Sequence, residues 1–134
     1  MKKYNNREDE LVDIIKKDNE IINLYERWMI ARNNEYSICD FIKKNKFEKV
    51  AIYGMGSLGK ALCSEFCVRD INIEYIIEQN EKRHNDNFQF YTMEDVLPKV
   101  DLIIITAITY YDEIVEELSK KINCALLSLD DIVP

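Results

Sequence analysis

A chain of 134 residues, 47% apolar and 32% charged, has the size and composition of one globular domain with a real core. Its formal charge of −7 excludes the broad basic face that non-specific nucleic-acid or anionic-membrane binding requires, but not a local phosphate site. The longest apolar run, Leu102 to Ile105, is too short to span a membrane, and the start MKKYNNREDE lacks a signal-peptide apolar segment, so a cytoplasmic location is expected.

Taken in order, Asn5 and Glu8 have capping-box spacing ahead of an acidic first turn. A helical stripe then runs through Leu11, Ile14, Ile15, Ile22, Tyr25, Trp28 and Met29, interrupted at Asp18 and ending near Asn33–Asn34. This helix is long for so small a domain. Either it packs wholly on its own domain, or Tyr25, Trp28 and Met29 contribute to a homodimer interface, where aromatic residues and Met are enriched. Ser37 opens a second helix with apolar positions Ile38, Phe41 and Ile42, and a lysine-rich end suits its C-terminus.

Phe47 to Tyr53 reads as a first strand, and an amphipathic helix from Ser57 to about Cys67 follows it. Ile73 to Ile77 is a second strand, with Glu78 at its end. Phe88 to Tyr91 reads as a short edge strand, and Thr92 with Asp95 as the cap of a short helix closed by Pro98. The continuous run DLIIIT from Asp101 is typical of a strand buried on both faces. Thr109 is positioned to cap a helix through Ile114, Val115, Leu118 and Ile122. Cys124 to Leu127 is a last strand, and Ser128 with Asp131 suggests a final turn.

Alternating strands and helices with short connections predict parallel strands joined by right-handed crossovers. The expected fold is α/β: a three-layer Rossmann-like parallel sheet of about five strands, order 3-2-1-4-5, preceded by two N-terminal helices. Residues 1–46 form the helical extension and 47–134 the nucleotide-binding unit.

The whole chain has three glycines, all within Gly54-Met55-Gly56-Ser57-Leu58-Gly59. The three have separate tasks at a strand–helix junction: a tight turn, close approach of a pyrophosphate, and close helix–strand packing. Free amides at the helix start favour an anion there. The context strengthens the motif, because a strand precedes it, a helix follows, and Glu78 lies at the spacing expected of a carboxylate that accepts from an adenosine ribose. That carboxylate favours NAD over NADP, while Lys82 and Arg83 pull the other way. The cofactor-binding set is therefore Gly54, Met55, Gly56, Ser57, Leu58, Gly59, Glu78 and Thr106. Met55 is expected to point at the ligand, Ser57 to add a hydroxyl, and Thr106 to lie across the crevice.

Gly54 to Lys60 also fits the start of a P-loop, but Ala61 stands where a magnesium-ligating Ser or Thr belongs, and Lys60 is expected to project outward. No Tyr-x-x-x-Lys pair or GxSxG elbow occurs, and His84, the sole histidine, sits in a polar stretch that reads as an exposed loop. Cys39, Cys63, Cys67 and Cys124 lack metal-ligand spacing and read as buried free thiols.

Ile52 to Gly59, the acid at Glu78, the "TMEDVLP" segment, Leu102 to Thr106 and Ser128 to Ile132 together resemble a known kind of domain. They are similar to the small Rossmann-like NAD(P)-binding domains of bacterial cell-envelope glycan enzymes, among them the N-terminal regions of nucleotide-sugar dehydratases and sugar acyltransferases, and to CoA-binding domains of the same topology. The resemblance covers about two-thirds of the chain, from Asp40 onward, and leaves out the first helix. It implies a nucleotide-binding or sensing module, often fused to a catalytic domain; this chain departs by standing alone, and Glu78 replaces the more frequent Asp. The expectation is an NAD-type binding module, accessory rather than catalytic. The rivals are a protein-interaction scaffold with a degenerate site and a compact NAD- or nucleotide-sugar-dependent enzyme.

Overall fold

The computed structural model describes residues 4–134. Ten elements are helices or strands: α1 (Arg7–Asn33), α2 (Ile38–Lys44), β1 (Val50–Tyr53), α3 (Ser57–Val68), β2 (Ile73–Ile77), β3 (Phe90–Tyr91), β4 (Leu102–Ile105), α4 (Tyr111–Ser119), β5 (Ala125–Ser128) and α5 (Leu129–Ile132). The five strands form one sheet in the order β3-β2-β1-β4-β5, every neighbouring pair parallel. The expected architecture is the observed one, with two helices ahead of the sheet.

Alternation along the strands sorts the core into two layers. Ile52, Ile76, Leu102 and Ile104 face one side, where they meet Leu24 and Trp28 of α1, Ile38 and Ile42 of α2, Leu62 and Phe66 of α3 and Leu129 of α5. Ala51, Tyr75, Ile77, Ile103 and Ile105 face the other, against Ile114 and Leu118 of α4. Each fully buried Leu or Ile contributes about 1.5–3 kcal/mol, so the sheet is held from both faces, and α1 and α2 share the core of the first.

Local chemistry sets the ends. Asn6, not Asn5, caps α1, its side chain accepting from the Asp9 amide at 2.9 Å. Ser37 caps α2 and Ser128 caps α5, the latter accepting from Asp130 rather than pairing with Asp131. Asp101 joins the starts of β1 and β4, one carboxylate oxygen accepting from the Glu48 and Lys49 amides at 3.0 and 2.9 Å.

Three expectations fail for identifiable reasons. Thr92 to Pro98 is a turn, not a helix: the Asp95 carboxylate reaches back to the Thr92 amide at 2.7 Å, and Pro98 disfavours helical backbone just before it. Thr109 does not cap α4; a 3₁₀ turn over Ile108–Tyr110 leads into it, and no side chain caps that start. The first strand begins at Val50 rather than Phe47, whose amide instead bonds the Ile42 carbonyl to close α2.

That last contact recurs at the ends of α1, α2 and α3. Glu35, Lys46 and Asp70 each take a left-handed conformation, φ 65°, 59° and 56°. Behind them the Tyr36, Phe47 and Ile71 amides reach Ala31, Ile42 and Phe66. These are positions where glycine is the usual residue, and a side chain there costs about 1–2 kcal/mol. The chain places no glycine at any of them.

Candidate functional site

The glycine turn lies at the carboxyl end of the central strand, β1, where the strand order reverses between its two neighbours. Open parallel sheets bind ligands at that place. The three glycines stand in three different situations.

Gly54 has φ +100°, and an added Cβ would lie 2.6 Å from Thr106 Oγ1. Gly59 packs so tightly that an added Cβ would sit 2.1 Å from the Gly54 carbonyl oxygen. Both are required by the protein's own packing. Gly56 is not. Its φ is −76° with extended ψ, open to any residue, and an added Cβ would meet only the end of the Arg83 side chain at 3.6 Å, an ordinary contact. Gly56 is the N-cap of α3 and offers no side-chain acceptor to the first turn, whose amides belong to Ser57, Leu58 and Gly59. The Lys60 amide is the first of the helix to find a helical carbonyl, that of Gly56 at 3.0 Å.

Glu78 is buried beside this turn. Its Oε1 accepts from the Met55 amide at 2.8 Å and lies 3.3 Å from Arg83 Nη1; Oε2 accepts from the Asn80 amide at 2.9 Å. Burial pushes the carboxyl pKa up, but the Asn80 and Met55 amides and the Arg83 guanidinium more than offset it, so the group titrates below its ordinary value. A depressed folded pKa gives stability that is complete above the unfolded value, about 4.3 for Glu, and is lost as pH falls through the folded value. Asp101, held low chiefly by the Lys49 and Glu48 amides, acts in the same direction. The urea midpoint should therefore fall between pH 7 and pH 3, and Glu78→Gln should flatten part of that slope; an unaltered slope in the variant would remove Glu78 from this role.

The remaining expected site residues divide. Ser57 is exposed at the helix start and Lys60 projects outward as expected. Met55 departs: its side chain is buried in the core, its sulfur 3.9 Å from Cys63 Sγ, so it turns under the junction and not toward a ligand. Leu58 is likewise core. Thr106 is buried, and its hydroxyl donates toward the Tyr53 and Gly54 carbonyls at 2.8 and 3.1 Å, so it clips β4 to the turn in place of spanning the crevice. His84 is half-buried, its Nε2–H donating to the Glu78 carbonyl at 2.7 Å while its ring stacks on Phe90. Cys39 and Cys63 are buried, but Cys67 is exposed and Cys124 half-buried. Among the described residues no group of three or more His, Cys, Asp or Glu could hold a metal ion, and no helix is long and apolar enough to cross a membrane.

Arg83, which the sequence presents only as a charge weighing against NAD, is half exposed and extends from the 3₁₀ turn at Glu81–Arg83 over Gly56; it is a cation beside uncapped amides. One further residue has no place among those expected from the sequence. Glu65 is buried between three helices, and its position seven residues after Leu58 and three after Leu62 was the available signal, since that spacing puts it on the apolar face of α3. A wider groove of about 580 Å³ opens between α1 and the β4–α4 connection. There Lys17 lies over the Tyr110 ring, 4.4 Å from its centroid, and pairs with Asp13 at 3.1 Å.

Fold and site together define a doubly wound parallel α/β domain with a glycine turn at its switch point. Within that class the chain belongs to the C2185-like N-terminal domain family, whose description matches residues 45–125, from just before β1 to the first residue of β5. No curated protein and no solved structure matches the chain.

Proposed function

We propose that this protein is a binding module for a dinucleotide of the NAD type, accessory or regulatory in role. The observation that carries the reading is Gly56. Three left-handed positions that favour glycine hold Glu35, Lys46 and Asp70, while Gly56 sits where the backbone and its neighbours demand no glycine. A residue without a side chain at that point keeps the first turn of α3 open to a diphosphate, which the helix dipole and the Ser57, Leu58 and Gly59 amides would hold.

Arg83 lies over the same spot and would supply the positive charge. Glu78 shapes the turn through the Met55 amide, and its Oε2, with one donor from Asn80, is the acceptor to which a ribose hydroxyl would add. A scaffold whose turn serves only folding is the competing reading, and the internal bonds of Glu78 and Thr106 favour it.

A thermal-shift panel of NAD, NADP, CoA and nucleotide-sugars separates the two. A ligand at a hundred times its Kd stabilises the folded state by about 2.7 kcal/mol, so NAD should raise the melting temperature. Gly56→Val should abolish that rise while costing the unliganded fold only the loss of a favoured N-cap residue, about 1 kcal/mol. No shift with any of the four at millimolar concentration would reject the binding reading. Glu78→Ala is a poor probe, since it strips the buried Met55 amide of its acceptor and weakens the fold directly.

A further inference from the structure

The 27 residues of α1 make it about 40 Å long, and it carries two apolar faces. One faces the domain: Leu24, Trp28 and Ala31 are buried, and the Trp28 indole N–H donates to Glu65 at 3.1 Å. Trp28 is thus a core residue and not an interface residue. The other face lies roughly 130° around the helix from the first. Leu11, Ile15, Ile22 and Met29 are exposed there at 43%, 57%, 54% and 65%. With Asp18 and half-buried Tyr25 between them, they follow one another in alternating steps of four and three residues. That spacing is a coiled-coil seam, not the wider stripe of a helix resting on a sheet.

We infer that this seam pairs with the same seam of a second copy of the chain, antiparallel, to make a two-fold dimer. Charge selects this occupant and this direction. The next seam positions outward are Glu8 at one end and, at the other, Arg32, which pairs through Nε with Glu65 at 3.4 Å while its side chain stays 55% exposed. In the antiparallel register that sets Leu11 against Met29 and Ile15 against Tyr25 of the other copy, Glu8 falls against Arg32. Both ends then close with opposite charges, and the two helix dipoles also oppose. A parallel pair would instead stack Glu8 on Glu8, Asp18 on Asp18 and Arg32 on Arg32.

Asp18 against Ile22 is the one kind of mismatched layer, and the two-fold axis repeats it; a single polar position in each helix of a seam fixes register at a cost in affinity. The surface also provides a seat for the incoming Leu11: a cavity of about 460 Å³ beside the end of α1, lined by Tyr25, Trp28, Met29, Arg32, Asn33 and Ala61.

Light scattering on the full chain at micromolar concentration should give twice its 15.9 kDa mass, and Ile22→Glu, at an exposed position, should give the single mass with an unchanged far-ultraviolet circular dichroism spectrum and a melting temperature that, unlike the wild type's, does not vary with protein concentration. A monomeric wild type, as expected if the seam serves a different protein, overturns the proposal, as does a dimeric Ile22→Glu variant. Direction is read by cross-linking in a Cys67→Ser background. Leu11→Cys combined with Met29→Cys should form a covalent dimer on mild oxidation, while neither single variant does. A single variant that links to itself, or a double variant that does not link, contradicts the antiparallel register.

Discussion

Gly59→Ala is expected to cost the folded state about 3 kcal/mol or more, a large share of the roughly 5–15 kcal/mol that holds a domain together. The new methyl would lie 2.1 Å from the Gly54 carbonyl oxygen and 2.9 Å from the Gly54 carbonyl carbon. Both are backbone atoms, so relief requires α3 to lift off the end of β1. Gly54→Ala should fail by a second route. Its φ of +100° is strained for any side chain, and its methyl would meet Thr106 Oγ1 at 2.6 Å, breaking the clip from β4. Urea melts of the two variants beside Gly56→Val give the contrast: two glycines that the fold needs and one that it does not. Equal losses at all three positions would mean that Gly56 is structural, and the functional reading would lose its basis.

The second large effect belongs to Glu65→Ala, expected to cost about 3–5 kcal/mol. One buried carboxylate serves three helices. Oε1 accepts from the Trp28 indole at 3.1 Å and pairs with Arg32 Nε at 3.4 Å; Oε2 accepts from the Ile38 amide at 2.9 Å and the Ser37 hydroxyl at 3.3 Å. Removing it leaves a buried indole N–H and a buried helix-start amide without an acceptor, each costing about 1–3 kcal/mol. Glu65→Gln keeps the shape and one carbonyl oxygen, so it should lose far less. Trp28 fluorescence reports the site during denaturation; a Glu65→Ala variant as stable as wild type would show that α1 and α2 are held by apolar contact alone.

Much of this was legible in the residues. The LIII run reads as a strand buried on both faces, and β4 is one; which side chains of β1 and β2 enter which layer comes from the structure, since VAIY and IEYII carry apolar residues on both faces. Strand order followed from the βα alternation, because right-handed crossovers leave few alternatives. What misled was local chemistry with more than one outlet. Thr92 with Asp95 is a cap pair in a helix and a turn bond without one, and Pro98 decides between them. Met55, inside the glycine motif, reads as a ligand contact until the packing shows it beneath the turn. Glu78 follows β2 and lies beside the glycine turn, but its partners are amides and a guanidinium whose proximity no spacing rule gives.

The first-turn amides of α3 are where a diphosphate would bind, and an amide-resolved NMR titration with NAD addresses them directly. The shifts should concentrate on Ser57, Leu58 and Gly59, together with the Arg83 side chain, and vanish in Gly56→Val. Amide signals at that turn that stay fixed at millimolar NAD, or shifts confined to the groove beside Lys17 and Tyr110, would contradict that mode of binding.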